Sequence, residues 1–246
     1  MNRDEFVSKL KTHAQKLGID KIAFADLTIP GLLLRSENAG FLLNNGYHIA
    51  VSIAMRISEA TCSLALQSDD EGLMNYFKAH ALARANQLDD AALKLALYLE
   101  NFGYKAFVVP GLGSGYTVGA PGIVSHMAIA NVSGLGTMGD SGMILTPEFG
   151  PRVRLSTIIT DCPLPVHNQT KDICIHCGLC KEACPSGAIT GKRFDPHNPS
   201  GEYMDRATCA KYRDQRLEKT GNRFCNICMA ICPIGAKQHK TGNVDL

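Results

Sequence analysis

Cys174-Ile-His-Cys177-Gly-Leu-Cys180-Lys-Glu-Ala-Cys184-Pro185 and Cys225-Asn-Ile-Cys228-Met-Ala-Ile-Cys232-Pro233 decide the reading of this 246-residue chain. The first run has the C-x2-C-x2-C-x3-C-P spacing that wraps three thiolates around one 4Fe-4S cluster and sends the fourth, before the proline, to a second cluster. The second run repeats it, but Asn222 stands where the first copy has Cys174, so the missing ligand must come from upstream, where Cys209 is the nearby candidate. Crossing the fourth cysteines assigns Cys174, Cys177, Cys180 and Cys232 to one cluster and Cys184, Cys209, Cys225 and Cys228 to the other. A disulfide framework fits poorly, because paired C-x2-C spacings give strained bridges. Zinc is the other alternative, but four-cysteine zinc sites take two C-x2-C pairs per metal, whereas these runs end in C-x3-C-P.

Outward from the cysteines, 45% hydrophobic content is that of a globular protein with room for one medium and one small domain. No run of about 18 apolar residues occurs, and the amino terminus mixes charges instead of pairing a basic and an apolar region. The expected setting is therefore cytoplasmic, with no membrane partner, in a compartment that keeps thiols reduced. From Val166 onward there are twelve Lys and Arg against eight Asp and Glu, and before it thirteen against fifteen. The mildly basic end suits an acidic electron donor such as a ferredoxin or flavodoxin, or simply a solvated surface that offsets negative clusters. No long basic tail points to nucleic acid.

Periodicity predicts a helix over Arg3 to Leu17 capped by Gly18, strands over Lys21–Leu27 and His48–Met55, and a long helix over Leu73–Phe102, broken near Asp89-Asp90. A strand over Lys105–Val109 leads into a glycine-rich loop from Gly111 through Gly113, Gly115 and Gly119, which either cradles a phosphate or is a wide turn. Its spacing is not that of a dinucleotide fingerprint. A helix through Ser125, His126 and Met127 to Asn131 follows, then strands over Met143–Thr146 and Arg152–Thr160 around the turn at Pro147 to Pro151. Asp161 to Thr170 reads as the domain boundary. The expected fold class is α+β, an α/β layer domain over 1–165 followed by a two-cluster domain over 166–246.

The segment Ser125-His126, then Gly134-Leu-Gly136-Thr-Met-Gly139-Asp-Ser-Gly142-Met-Ile-Leu-Thr-Pro147-Glu-Phe-Gly150-Pro-Arg152-Val-Arg154-Leu, running through Thr160-Asp161 into the eight cysteines, resembles the core shared by epoxyqueuosine reductases and corrinoid reductive dehalogenases. The resemblance extends from about Ser125 to Gly235 and includes the interval from Cys209 to Asn222. It implies a nitroreductase-like domain that holds cobalamin and a ferredoxin-like domain whose two 4Fe-4S clusters feed electrons to it. The substrate would be a small organic molecule, and the protein would position it, deliver protons and exclude water. Flavin in the same cleft, or an electron-transfer protein with no organic cofactor, are the alternatives.

On that resemblance Ser125, His126, Gly134, Gly136, Gly139, Gly142, Arg152 and Arg154 are the cofactor-binding candidates, the glycines admitting a flat macrocycle and the arginines meeting its carboxamides or phosphate. Read by themselves, the glycines are equally turns, the arginines outward positions on a strand, and His126 a hydrogen-bonded residue at a helix start. No DxHxxG motif is present. Epoxyqueuosine reductases continue beyond the clusters into helical repeats associated with tRNA, whereas this sequence stops 14 residues after Cys232. The Asp-Tyr-His stretch that supplies their proton donor has no counterpart in Asn75-Tyr-Phe-Lys-Ala-His80. No twin-arginine signal of the respiratory dehalogenases is seen. Reduction of tRNA and membrane-linked respiration are therefore not expected. Tyr76, His80, Tyr104, Tyr116 and His126 are the proton-donor candidates, and Cys62 and Cys162 read as buried thiols outside both runs.

Overall fold

The computed structural model describes residues 2–29, 32, 36–67, 69–111, 123–166, 171–193 and 203–236. The glycine-rich loop from Gly113 to Gly119, with Tyr116, lies outside them.

Four strands form one antiparallel sheet in the order β1-β2-β6-β3: β1 (Lys21–Asp26), β2 (Ile49–Arg56), β3 (Ala106–Val109) and β6 (Val153–Thr160). Phe24 faces Val51, and Val51 in turn faces Ile158. Strand alternation gives the sheet two apolar faces. Val51, Ile53 and Met55 point to one layer with α1 (Arg3–Lys16) and the carboxyl half of α4 (Glu71–Glu100). Ala50 and Ile159 point to the other, with α2 (Ser36–Asn44) and α5 (His126–Val132). A two-stranded ribbon, β4 (Thr137–Met138) and β5 (Ile144–Leu145), packs beside α5. The result is a mixed α/β architecture, helices on both sides of the sheet.

The helix α4 runs unbroken for 30 residues, about 45 Å at 1.5 Å per residue. The break expected at Asp89-Asp90 does not occur, because neither carboxylate competes for its own helix amides. Asp89 Oδ1 accepts from the Gly111 amide at 2.8 Å, and Asp90 pairs with Lys94 one turn on at 2.6 Å. The buried stripe Met74, Phe77, Ala81, Ala85, Leu88, Ala92, Leu95 and Leu99 has helical spacing throughout. Its first turns pack Phe77 edge-on to Phe224, while the later ones cover the sheet.

The cysteine segment contributes the short helices α6 (Leu179–Glu182) and α8 (Ile227–Ala230) and the longer α7 (Arg206–Thr220), and α3 (Glu59–Ser63), from earlier in the chain, packs against α8. The segment shares the core of the sheet layer: Tyr203 packs with Ala23 and Ala54, and Met229 with Ile57 and Cys62. One seam fastens the two. Gly150 and Gly235 approach backbone to backbone, and Arg152, 4% exposed, reaches across. Its guanidinium donates to the carbonyl oxygens of Ile234 (2.9 Å), Ala230 (3.1 Å) and Cys232 (2.7 Å).

Candidate functional site

The seven cysteines of the two runs and Cys209 fall into two groups. Cys174, Cys177, Cys180 and Cys232 line one cavity with Gly139, Asp140 and Ser141 of the β4–β5 ribbon. Burial pushes the Cys180 thiol up to about 11, and Asp140 and the thiols of Cys174, Cys177 and Cys232 add to it. Burial raises Cys228 further, to about 12, and the thiols of Cys225, Cys209, Cys184 and Cys180 add to it. So Cys232 shares a cavity with Cys174, Cys177 and Cys180 of the first run, while Cys184 and Cys209, the latter on α7, are among the thiols that act on Cys228. Thiols held this high stay protonated until a metal displaces the proton.

Cys184 differs. Burial works to raise its pKa, but the Ser186 hydroxyl, 3.3 Å away, and the amides around Ile189 outweigh it and draw the thiol below its ordinary value. Local backbone geometry explains how the runs turn: His176 (φ 53°) and Asn226 (φ 59°) sit in the left-handed region within the first C-x2-C of each run. Asp140 and His176, which no motif singled out, meet at 2.9 Å beside Cys174 and form with it a group able to hold a metal ion. The only sequence signal for Asp140 was its place in Gly139-Asp-Ser-Gly142. Among the cluster thiols, Cys177 alone is exposed.

A second cavity, about 200 Å³, lies between α4, α5, β5 and β6, lined by Ala85, Leu88, Gly111, His126, Met127, Met143, Ile144, Pro151, Val153, Arg154 and Leu155. His126 Nδ1 is 2.8 Å from Thr157 Oγ1, while its Nε2 and the Nε of Arg154 are buried with no partner among the described residues. Burial lowers the His126 pKa, opposed by the Pro110 carbonyl and Asp89, and burial likewise lowers that of Arg154. Met143 forms part of the cavity wall, and its Sδ is 3.8 Å from Cys228 Sγ. Met143 was missed as a site residue because a lone methionine in a strand reads as core.

The remaining candidates have other tasks. Ser125 caps α5, its hydroxyl accepting from the Ala128 amide at 3.2 Å. Gly134 (φ 74°) ends α5 in a Schellman turn, with the Leu135 amide on the Ala130 carbonyl. A Cβ on Gly136 would overlap the Leu145 carbonyl, one on Gly139 the Leu145 side chain, and one on Gly142 the Met204 thioether. These glycines thus make room for the chain's own ribbon, and Gly139 belongs to the wall of the first cysteine cavity. Arg152 gives its two terminal nitrogens to three carbonyls, and its buried Nε has no partner among the described residues. Tyr76 and His80 are exposed on α4, and Tyr104 packs on Phe6 with its phenol engaging the Cys162 thiol. Cys62 and Cys162 are buried, burial raising them to about 11 and about 12.

A family model described as a 4Fe-4S double cluster binding domain matches residues 173–235. The chain is 36% identical over 121 residues to the tetrachloroethene reductive dehalogenase of Sulfurospirillum multivorans, and 31% over 122 residues to the epoxyqueuosine reductase of Bacillus anthracis. Each alignment covers 46% of this chain, but only 24% and 30% of those relatives, so the chain spans well under half of their length. A catabolic reductive dehalogenase solved with 3-bromo-4-hydroxybenzoic acid superposes with a TM-score of 0.70 at 20% identity, over 93% of this chain and 31% of the other. An epoxyqueuosine reductase solved with a modified tRNA-Tyr stem loop gives 0.60 at 18%, over 95% of this chain and 66% of the other. Both share the fold. No helix among the described residues is long and apolar enough to cross a membrane. The chain thus carries a 4Fe-4S double cluster binding domain, and it is similar to epoxyqueuosine reductases and reductive dehalogenases in sequence over about half of its length and in fold over nearly all of it.

Proposed function

We propose that the chain is an iron-sulfur oxidoreductase in which two 4Fe-4S clusters relay low-potential electrons into the cavity beside His126, where a small organic substrate is reduced at cobalamin. The observation that carries this reading is Met143, which touches Cys228 on one side and walls the cavity on the other. The relay runs from the cluster of Cys174, Cys177, Cys180 and Cys232, through that of Cys184, Cys209, Cys225 and Cys228, to the cavity. The layer part, 1–165, is nitroreductase-like on this reading, and 166–246 is the ferredoxin-like part.

The fit to cobalamin is at an edge. His126 Nε2 and Arg154 Nε are partnerless among the described residues, and a carboxamide oxygen satisfies both when Thr157 fixes the imidazole tautomer with its proton on Nε2. The cavity is smaller than the roughly 300–1,000 Å³ that encloses a drug-sized ligand, so the described walls take one side of such a ring. Cobalamin bound here supplies a cobalt-centred two-electron reduction. The chain's own residues do the rest: Arg154 orients an acceptor oxygen, His126 holds a proton at Nε2, and Leu88, Ile144, Val153 and Leu155 exclude water.

Electrons enter at the exposed Cys177, where Lys181 lies against Gly191 beside the exposed Lys192 and Arg193. Those cations suit an acidic one-electron carrier in a reducing cytoplasm. Anaerobic purification from cobalamin-supplied cells, followed by metal analysis and mass spectrometry of the released cofactor, tests the reading. About eight irons with a corrinoid is the expected result. Eight irons with flavin changes the cofactor, and eight with neither leaves an electron carrier.

A further inference from the structure

Arg152 is a buried cation whose partners are all backbone carbonyls, those of Ala230, Cys232 and Ile234. No carboxylate among the described residues pairs with it. Burying an unpaired guanidinium is costly, and carbonyl dipoles compensate it only in part. A group able to supply the missing negative charge is a cluster held by Cys232, whose own carbonyl the guanidinium grips, since four thiolates around a 4Fe-4S core leave a net negative charge.

The same side chain solves a geometric problem. Cys232 must reach a cluster whose other three ligands, Cys174, Cys177 and Cys180, lie far earlier in the chain, and no local turn can deliver it. Three carbonyls gripped by one planar fork fix the path of Ala230 to Ile234. The Gly150–Gly235 contact brings that stretch against the end of β6. A Cβ on Gly150 would lie 2.7 Å from the Ile234 carbonyl carbon, and one on Gly235 2.7 Å from Phe149 Cα, so neither position tolerates a side chain without the seam opening.

We propose that Arg152 is the positioning residue for the Cys232 ligand, holding its loop by the carbonyl fork and raising the reduction potential of that cluster through its buried charge. The inference rests on the two-cluster reading above. Reduction adds one electron to the cluster and hence one negative charge. A fixed cation in a poorly screened interior stabilises the reduced form more than the oxidised one.

Arg152→Met and Arg152→Lys, in the full chain reconstituted anaerobically, test it by iron content and by redox titration followed with electron paramagnetic resonance. For Arg152→Met the midpoint potential of the Cys232 cluster is expected to move down, while that of the Cys184 cluster stays in place. For Arg152→Lys, the charge remains but the fork is lost, so the potential stays near that of the unaltered protein and occupancy of the Cys232 cluster falls. Full iron with both potentials unchanged in Arg152→Met overturns the proposal. If Arg152→Met does not fold, Arg152→Lys decides alone, because loss confined to the Cys232 cluster upholds the proposal and equal loss at both clusters overturns it. Unaltered protein that takes up iron for one cluster only, or none, overturns the cluster reading itself before any variant is compared.

Discussion

Alanine at Gly150 attacks the seam at its tightest point. The new Cβ would overlap the Ile234 carbonyl oxygen and stand 2.7 Å from its carbon, about 1 Å short of the ~3.5–4.0 Å of ordinary carbon contacts. The obstacle is backbone, so it cannot rotate aside. Overpacking of this kind costs about 1–3 kcal/mol. The left-handed conformation (φ 54°) adds about 1–2 kcal/mol for any residue with a Cβ. Gly187 provides the control, because its φ is 68° but a Cβ there meets nothing within 4 Å. Gly187→Ala therefore carries the backbone term alone. The difference between the variants, about 1–3 kcal/mol, lowers the melting temperature of a chain this size by a further ~2–12 °C. Circular dichroism melts of the reconstituted proteins under argon measure it, with iron assayed in parallel to see whether the Cys232 cluster is lost first. Equal melting temperatures for Gly150→Ala and Gly187→Ala would refute the seam as described.

Met143→Ala should leave iron content unchanged yet slow substrate reduction with an artificial donor, and Met143→Leu should recover most of the rate; a rate untouched by alanine removes Met143 from the relay. Burial lowers the His126 pKa, so the unfolded chain binds the proton first as pH falls below about 6.5, and stability declines from there toward the lower folded value. His126→Gln should flatten that decline, visible as a smaller loss of melting temperature between about pH 7 and pH 5.5 than in the unaltered protein. Cys62 and Cys162, buried and raised to about 11 and about 12, should resist iodoacetamide in native protein and react on unfolding, as read by peptide mass spectrometry.

Much of the sheet was legible because its strands are short apolar runs bounded by charged or turn residues. Val51, Ile53 and Met55 against Ala50 and Ala54 show the period of two directly. The double-cluster segment was legible for a different reason: a repeat of C-x2-C and C-x3-C-P spacings leaves few other readings, and the matching family model covers residues 173–235. What the sequence hid depends on distant chain. Arg152 looked like an outward strand position or a cofactor contact, and its true partners lie 78 to 82 positions later. The sequence could not show that the missing side chains of Gly136, Gly139 and Gly142 make room for Leu145 and Met204. Asp89-Asp90 looked like a helix break because the amide of Gly111 could not be foreseen as a partner. The helices α2, α3 and α7 went unread as well. The first two are short, and α7, with no buried residue, has no apolar stripe to betray it.

The central claim is that each cluster draws its fourth ligand from the other run, so that the two form one relay ending at Met143. Electron paramagnetic resonance of dithionite-reduced Cys184→Ser, compared with Cys232→Ser, tests it most directly. The account predicts that Cys184→Ser damages the cluster of Cys209, Cys225 and Cys228 and spares that of Cys174, Cys177 and Cys180, with Cys232→Ser doing the reverse. Loss of the Cys174 cluster in Cys184→Ser, with the other intact, would contradict it.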